Sequence, residues 1–311
     1  MNIYISGSMA YDRIMDFPGK FSDYILPDKI HVLNVCFNVN GLVEKFGGTA
    51  GNIAFSLSLL DEKPFIIAAI GKDYRNYFEW LQINNISVDG IKIIPEEFTA
   101  GAYITTDTSD NQITGFNPGA MKYPSCYIFE KAKPNGSIVL IAPGNIEDMT
   151  GYARTCRDRK IPYICDPGQS LTKWDKQTLI EWLDGALLLI TNDYELEVIM
   201  KITGLDKKGL LALAGTIITT LGEKGSVIVS GDSEVPVPAA KAGKVVDPTG
   251  AGDAYRAGLL KGIVSGKDLP SAARIGAVAA VYAIEKYGTQ EHRFTYDEFA
   301  ERYRNNFGEN L

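Results

Sequence analysis

Short apolar runs bounded by turn residues recur along the chain, at Asn2–Ser6, Pro64–Ile70, Ser137–Ile141, Ile161–Cys165, Ala186–Ile190, Thr216–Thr220 and Ser226–Val229. Runs that are apolar throughout, without alternation, are the pattern of strands buried on both faces. Helical periodicity fills the gaps: Thr49–Leu60, Tyr74–Ile83, Ile146–Arg159, Lys176–Trp182, Tyr194–Thr203, Gly252–Val264 and Ser271–Tyr287. The alternation predicts an α/β fold, a mostly parallel sheet flanked by helices on both faces. Two stretches break this rhythm. Ile30–Asn40 alternates, with Leu33, Val35, Phe37 and Val39 on one side and Asn34, Cys36 and Asn38 on the other. Ala100–Phe116 holds two more alternating runs, joined by the turn-like Asp107–Asn111. One-sided strands suit a small antiparallel sheet. We therefore expect a discontinuous β-sheet lid, drawn from roughly residues 12–46 and 97–122, inserted in the large α/β domain. The plainer alternative makes these stretches edge hairpins of the main sheet.

Composition narrows the functional classes. The chain has 311 residues, 45% hydrophobic and 22% charged, which suits one large globular domain with an appendage. Its net charge of −7 argues against nucleic acid or an anionic membrane surface as the main partner, since both reward clustered cations. No apolar run is long enough to span a bilayer. Met1–Gly7 lacks a basic leader region and reads as a first strand, not a signal peptide. Cys36, Cys126, Cys156 and Cys165 show no metal-ligand spacing, and His31 and His292 are the only histidines. Neither zinc nor a disulfide framework is expected, and a reducing cytoplasm is the natural compartment.

The most informative segment is Asp247-Pro248-Thr249-Gly250-Ala251-Gly252-Asp253, which opens a helix. Small residues let successive N–H groups curl around an anion at a helix N-terminus. Asp253 falls in the first turn, where the dipole favours its ionised form. A carboxylate beside an anion hole suits phosphoryl transfer to a hydroxyl: the acid takes the proton while the N–H groups stabilise the moving charge. The bland alternative is that Asp253 caps the helix and the glycines form a turn. A second small-residue loop, Gly47-Gly48-Thr49-Ala50-Gly51-Asn52, opens another helix, and Asp12 follows the first strand. Asp12 and Asn52 have the donor and acceptor groups to grip vicinal hydroxyls of a sugar, although a solvated turn acid explains Asp12 equally well. No P-loop, dinucleotide fingerprint or hydrolase nucleophile elbow occurs.

Taken together, these segments resemble the ribokinase-like (PfkB) family of carbohydrate and nucleoside kinases. Gly48–Ala54 is similar to that family's first signature, and Asp247–Leu260 fits its second along the full length. Asn192-Asp193-Tyr194-Glu195 resembles the N-x-x-E motif associated with magnesium and phosphate, and Thr220–Gly225 the loop that lines the nucleotide. Gly7–Asp12, Asp110–Thr114, Asn117–Met121, Asp166–Gly168 and Gly288–Arg293 are most similar to adenosine-kinase-type members. Leu60-Asp61 departs from the pattern, because the usual glycine there supplies a left-handed helix end. Pro248 is a further reservation, since it has no N–H to offer the anion hole.

The resemblance implies an ATP- and Mg²⁺-dependent kinase that converts adenosine to AMP. Kinases of another nucleoside or of a free sugar such as ribose, and a non-catalytic nucleoside sensor, are the alternatives. It implies Asp253 as base, Gly250, Ala251 and Gly252 as anion hole, and Ser8, Asp12, Gly48 and Asn52 around the ribose. Phe116, with Phe37, is the candidate aromatic for stacking on a purine. Asn192, Thr220, Gly222, Gly225 and Thr249, less securely Lys224, would line ATP; Glu195 would organise Mg²⁺ through water. Ile275, Gly276 and Ala279 would flank the nucleotide base unless they are plain helix core. Relatives also suggest K⁺ near Asp247 and Thr249, and a homodimer stays open. Arg256 either completes phosphate binding or faces solvent.

Overall fold

The computed structural model describes residues 1–311. The elements run β1 (Asn2–Ser6), β2 (Ala10–Asp16), β3 (Val43–Gly47), α1 (Thr49–Leu59), β4 (Phe65–Gly71), α2 (Arg75–Ile83) and β5 (Ile91–Ile94). Then come β6 (Ala100–Thr106), β7 (Gln112–Asn117), β8 (Ser137–Ile141), α3 (Ile146–Asp158), β9 (Tyr163–Cys165), α4 (Lys176–Leu183), β10 (Leu188–Asn192), α5 (Asp193–Thr203) and α6 (Lys207–Leu213). The chain closes with β11 (Ile217–Thr220), β12 (Ser226–Ser230), β13 (Ser233–Val237), α7 (Ala251–Val264), α8 (Leu269–Ile284) and α9 (Tyr296–Phe307).

The main sheet is ordered β13-β12-β11-β10-β9-β8-β1-β4-β5. All strands from β11 to β5 pair in parallel; only the β12–β13 hairpin adds antiparallel pairings. Two cores lie on its opposite faces. Strand β1 shows why: alternate residues of a strand point to opposite sides, so Ile3 and Ile5 join the core of α1, α2, α7, α8 and α9, while Tyr4 joins that of α3 to α6. Burial on both sides accounts for the continuously apolar strand sequences.

A separate four-stranded sheet, ordered β3-β2-β6-β7, forms the lid. Its central β2–β6 pair is parallel, and both outer pairs are antiparallel. The expected strand over Ile30–Asn40 is not there. Pro27–Val32 is a 3-10 helix and the chain to Gly41 has no strand pairing; the first insertion instead supplies β2 and β3. The alternating apolar positions share no buried face: Leu33 and Val39 are exposed, and only Val35 and Phe37 turn inward. Phe37 packs among Phe17, Phe21 and Tyr24, with ring centroids 4.8–5.9 Å away. A compact aromatic cluster, not a ladder, organises this segment, and it occupies the ring that the sequence offered for purine stacking.

Candidate active site

Because β1, β8, β9, β10 and β11 are parallel neighbours, their carboxyl ends open on one edge of the sheet, where ligands collect in open α/β folds. Ser8 follows β1, Asp166 follows β9, Asn192 ends β10 and Thr220 ends β11. The start of α7 is tied to this edge by Arg256, which is buried and forms a bidentate ion pair with buried Asp166; its Nη2 donates to Oδ1 at 2.7 Å. Arg256 therefore does not face solvent, and its charge is already balanced within the protein.

Gly250 caps α7 in a left-handed conformation, with φ of 80°. That turn directs the Ala251 N–H onto the Pro248 carbonyl at 3.2 Å. The N–H groups of Gly250, Gly252 and Asp253 make no hydrogen bond within the protein, so the open donors are these three and not the Gly250–Gly252 trio. Asp247 holds the loop, accepting from Thr249 N at 2.9 Å and from Gly288 N at 3.0 Å.

Asp253 is half-buried, and its Oδ2 accepts from Asn52 Nδ2 at 2.8 Å. Burial is the main cause that pushes its carboxyl up to about 6; the Asn52 hydrogen bond and Arg256 pull it down, and Asp166 adds to the rise. A carboxylate with this proton affinity is still largely ionised at neutral pH yet is a better proton acceptor than an exposed Asp. Asn52, buried in the first turn of α1, is thus a partner of the candidate base. Its second amide hydrogen leaves one donor for a ligand.

The lid presents a row to the cleft. Lys45, Asp12, Ala102 and Phe116 are successive cross-strand partners, so their side chains share one face. Asp12 is half-buried, and its carboxyl is raised by burial and by the nearby Asp247. Lys45 of the same row donates to the Tyr287 carbonyl at 2.8 Å, next to the Gly288 N–H that donates to Asp247, so this face lies beside the α7 loop. Phe116 is 56% exposed, free to meet a ligand. Ser8 and Gly48 join lid to base. Ser8 Oγ accepts from Thr49 N at 3.0 Å, capping α1. A Cβ on Gly48 would lie 2.6–2.7 Å from the backbone of Ser8, Met9 and Ala10, so only glycine fits this crossing.

On the far side, Asn192 and Thr220 are register partners at adjacent strand ends. Asn192 and Glu195 form a capping box at α5: Asn192 Oδ1 accepts from Glu195 N at 2.7 Å and Glu195 Oε2 from Asn192 N at 2.9 Å. The Glu195 carboxyl is raised, chiefly by burial. No three acidic, His or Cys side chains converge to chelate a metal directly. Glu195, with Oε1 outside the box, fits contact to a hydrated ion better than a closed ligand cage. Gly222 and Lys224 are exposed at the β11–β12 turn, while Gly225 is pressed against the backbone at the end of β13. Thr249 lies exposed in the α7 loop. Ile275, Gly276 and Ala279 are buried in α8; Ile275 and Gly276 lie where α8 crosses α7 in backbone contact, so plain helix packing accounts for them.

Several participants carried no assigned role in the sequence. Gln290 and Tyr77, both buried, contact Asn52 or each other beneath the cleft. Asp73 ties both lid insertions to the base: Oδ1 accepts from Thr99 N and Oγ1 at 2.7 and 2.6 Å, and Oδ2 faces Arg13 at 3.2 Å. Asp166 gains its meaning only from Arg256. Asp166 and Gln290 lie in segments that carry the family resemblance, but their partners are far away in sequence and only the fold assembles them.

A carboxylate at the head of a helix with open N–H donors, set at the carboxyl edge of a parallel sheet under a β lid, suits a phosphotransferase with an alcohol acceptor, the class to which the chain's relatives assign it. The chain belongs to the pfkB family of carbohydrate kinases, whose profile matches residues 21–294. It is 34% identical over 286 residues to a nucleoside kinase of Methanocaldococcus jannaschii, covering 90% of this chain and 93% of that protein. The structure of a Burkholderia thailandensis nucleoside kinase in complex with inosine is similar with a TM-score of 0.85 and 32% identity, covering 99% of this chain and all of the other. The same enzyme in complex with ADP-inosine gives a TM-score of 0.82 and 34% identity, covering 99% of this chain and 97% of that one. No helix is long and apolar enough to cross a membrane.

Proposed function

We propose that the protein transfers the γ-phosphoryl of ATP to the 5′-hydroxyl of a nucleoside, with adenosine as the leading substrate, giving AMP and ADP. The observation that carries this reading is Asp253, raised to about 6 and held by Asn52 at the open start of α7. Asp253 accepts the hydroxyl proton as the oxygen attacks the γ-phosphorus. The N–H groups of Gly250, Gly252 and Asp253 receive the charge that builds on the phosphoryl oxygens. Asp12, with the remaining Asn52 donor, holds the ribose so that the hydroxyl stays near the base. Asn192, Thr220, Gly222, Gly225 and Thr249 form the nucleotide side, and Lys224 stands beside it. Glu195 would hold Mg²⁺ through water, and the ion when bound would neutralise charge on the phosphates.

A nucleoside suits this cleft better than a free sugar because Phe116 extends the row of Asp12 with exposed apolar surface that a bare ribose cannot use. Inosine in the related structure keeps a second purine nucleoside in view. The test is an ADP-release assay with adenosine, inosine, guanosine, cytidine and ribose. Adenosine should show the highest kcat/KM. Equal efficiency for ribose would move the assignment to the sugar kinases, a preference for inosine would change the nucleoside, and no turnover of any would sink the kinase reading.

A further inference from the structure

We propose that Gln290 is a positioning residue for Asp253, acting through Asn52, and that Trp80 fixes the direction in which Gln290 does so. This rests on Asp253 being the general base, and it concerns how that base is tuned.

The four side chains form one directional chain of donors. The indole N–H of Trp80 can only donate, and it donates to Gln290 Oε1 at 2.8 Å. Gln290 must therefore turn its NH₂ the other way, where Nε2 donates to Asn52 Oδ1 at 3.0 Å and to the Tyr77 oxygen at 2.8 Å. Tyr77 has spent its own hydrogen on the Gly47 carbonyl at 2.6 Å, so it is free to accept. With Oδ1 of Asn52 held by Gln290, only its NH₂ can face Asp253, at 2.8 Å. Each amide has two orientations of nearly equal shape, and the donor-only indole selects one for the whole chain.

The surroundings hold this selection. Trp80 stacks between Phe46 and Phe55, with interplanar angles of 15° and 22°, and Arg293 lies over its face. Gln290, Asn52 and Tyr77 are 2%, 5% and 0% exposed, so water cannot replace a lost partner easily. Gly51 supplies independent support. A Cβ there would sit 2.0 Å from the Tyr77 oxygen and 3.1 Å from Gln290 Nε2. This glycine of the Gly47–Asn52 loop thus makes room for the relay.

A flipped Asn52 would set its carbonyl against the Asp253 carboxylate, turning an attraction into a repulsion. The other charged or titratable groups acting on Asp253 are Arg256 and Asp166; Glu195 bears on Arg256, and Tyr77 and Asp12 lie near. None of them bonds to Gln290 except Tyr77, which stays protonated because burial raises its phenol. The relay is thereby separable from the rest of the electrostatics.

The test compares wild type with Gln290→Met, which keeps length and loses every hydrogen bond, and Trp80→Phe, which removes only the directing donor. The ¹³C shift of the Asp253 carboxyl, titrated by NMR, reports its proton affinity without requiring turnover, and a thermal melt checks folding. Gln290→Met releases Asn52 to turn its NH₂ away, and loss of the Asn52 hydrogen bond to the charged acceptor should move the Asp253 midpoint up by about one pH unit. Trp80→Phe should move it in the same direction by less. Where a nucleoside is turned over, kcat at pH 6 should fall about fivefold while the KM for ATP stays put. A folded Gln290→Met protein with an unmoved midpoint would overturn the proposal; should that variant not fold, an unmoved midpoint in Trp80→Phe does so. Absence of activity in wild type would instead fault the kinase reading, leaving the titration to judge the relay.

Discussion

Replacing Asp253 by Asn should separate catalysis from stability in opposite directions. The amide preserves size and can still accept from Asn52, but it cannot take up the hydroxyl proton. A positioned general base contributes about 10²–10⁴-fold, so kcat should fall by that order while dissociation constants for ATP and nucleoside change little. The wild-type carboxyl is raised from 3.8 to about 6, mainly by burial. Each unit corresponds to about 1.4 kcal/mol, so the ionised side chain burdens the folded state by about 3 kcal/mol at most, less where the half-buried group is screened by water. The sign follows from the direction of the shift. A raised folded-state value favours folding only while the group is protonated, so its benefit is full below about pH 4 and lost as pH rises through about 6. Asp253→Asn should therefore match wild type near pH 4 and exceed it in stability by about 1–3 kcal/mol at pH 7. Steady-state kinetics and urea unfolding at both pH values provide the assay, and the wild-type kcat/KM should itself decline below about pH 6. An Asn variant that retains a normal rate would refute the assignment of the base. One that is slow but no more stable at pH 7 would refute the burial argument.

Phe116→Ala should raise the nucleoside KM about 5- to 30-fold while leaving any activity on ribose unchanged, measured by the ADP-release assay. Asp61 occupies a left-handed conformation with φ of 59°; Asp61→Gly should add about 0.5–1 kcal/mol of stability, visible in urea unfolding, with normal kinetics. Asp166→Ala leaves the Arg256 guanidinium buried without its partner and should cost about 3–5 kcal/mol by the same measurement.

The main sheet was legible because strands buried on both faces must be apolar throughout, and Asn2–Ser6 and Ser137–Ile141 match their strands end for end. Shorter or more polar elements escaped. β13, with Ser233, Glu234 and Pro236, is an edge strand with one wet face, and α6 is only seven residues long. α9 carried a readable start in Thr295 and Glu298, which form a capping box. Ile30–Asn40 failed for the converse reason: alternation predicts a strand only when a neighbour offers pairing and one face is covered. At the candidate site, the loops around Gly48 and Gly250 were visible because small residues cluster locally. The relay through Trp80 and Gln290, the Arg256–Asp166 pair and the Asp73 anchor join positions far apart in sequence, and no spacing rule encodes them.

The anchorage of the lid has a mechanical consequence. Every covalent crossing to the base is gathered near Asp73 and the Ser8–Gly48 contact, so these define a fulcrum at the Ala10 end of β2. β2 runs seven residues outward from it, an arm of about 20 Å at 3.3 Å per residue. Swinging that arm through about 10° would displace Asp16 by about 3–4 Å, yet Asp12 and the row reaching to Phe116 by only about 1 Å. The geometry is that of a lever gripped close to its pivot: the doorway can widen at the rim while the residues nearest the sugar scarcely leave their stations.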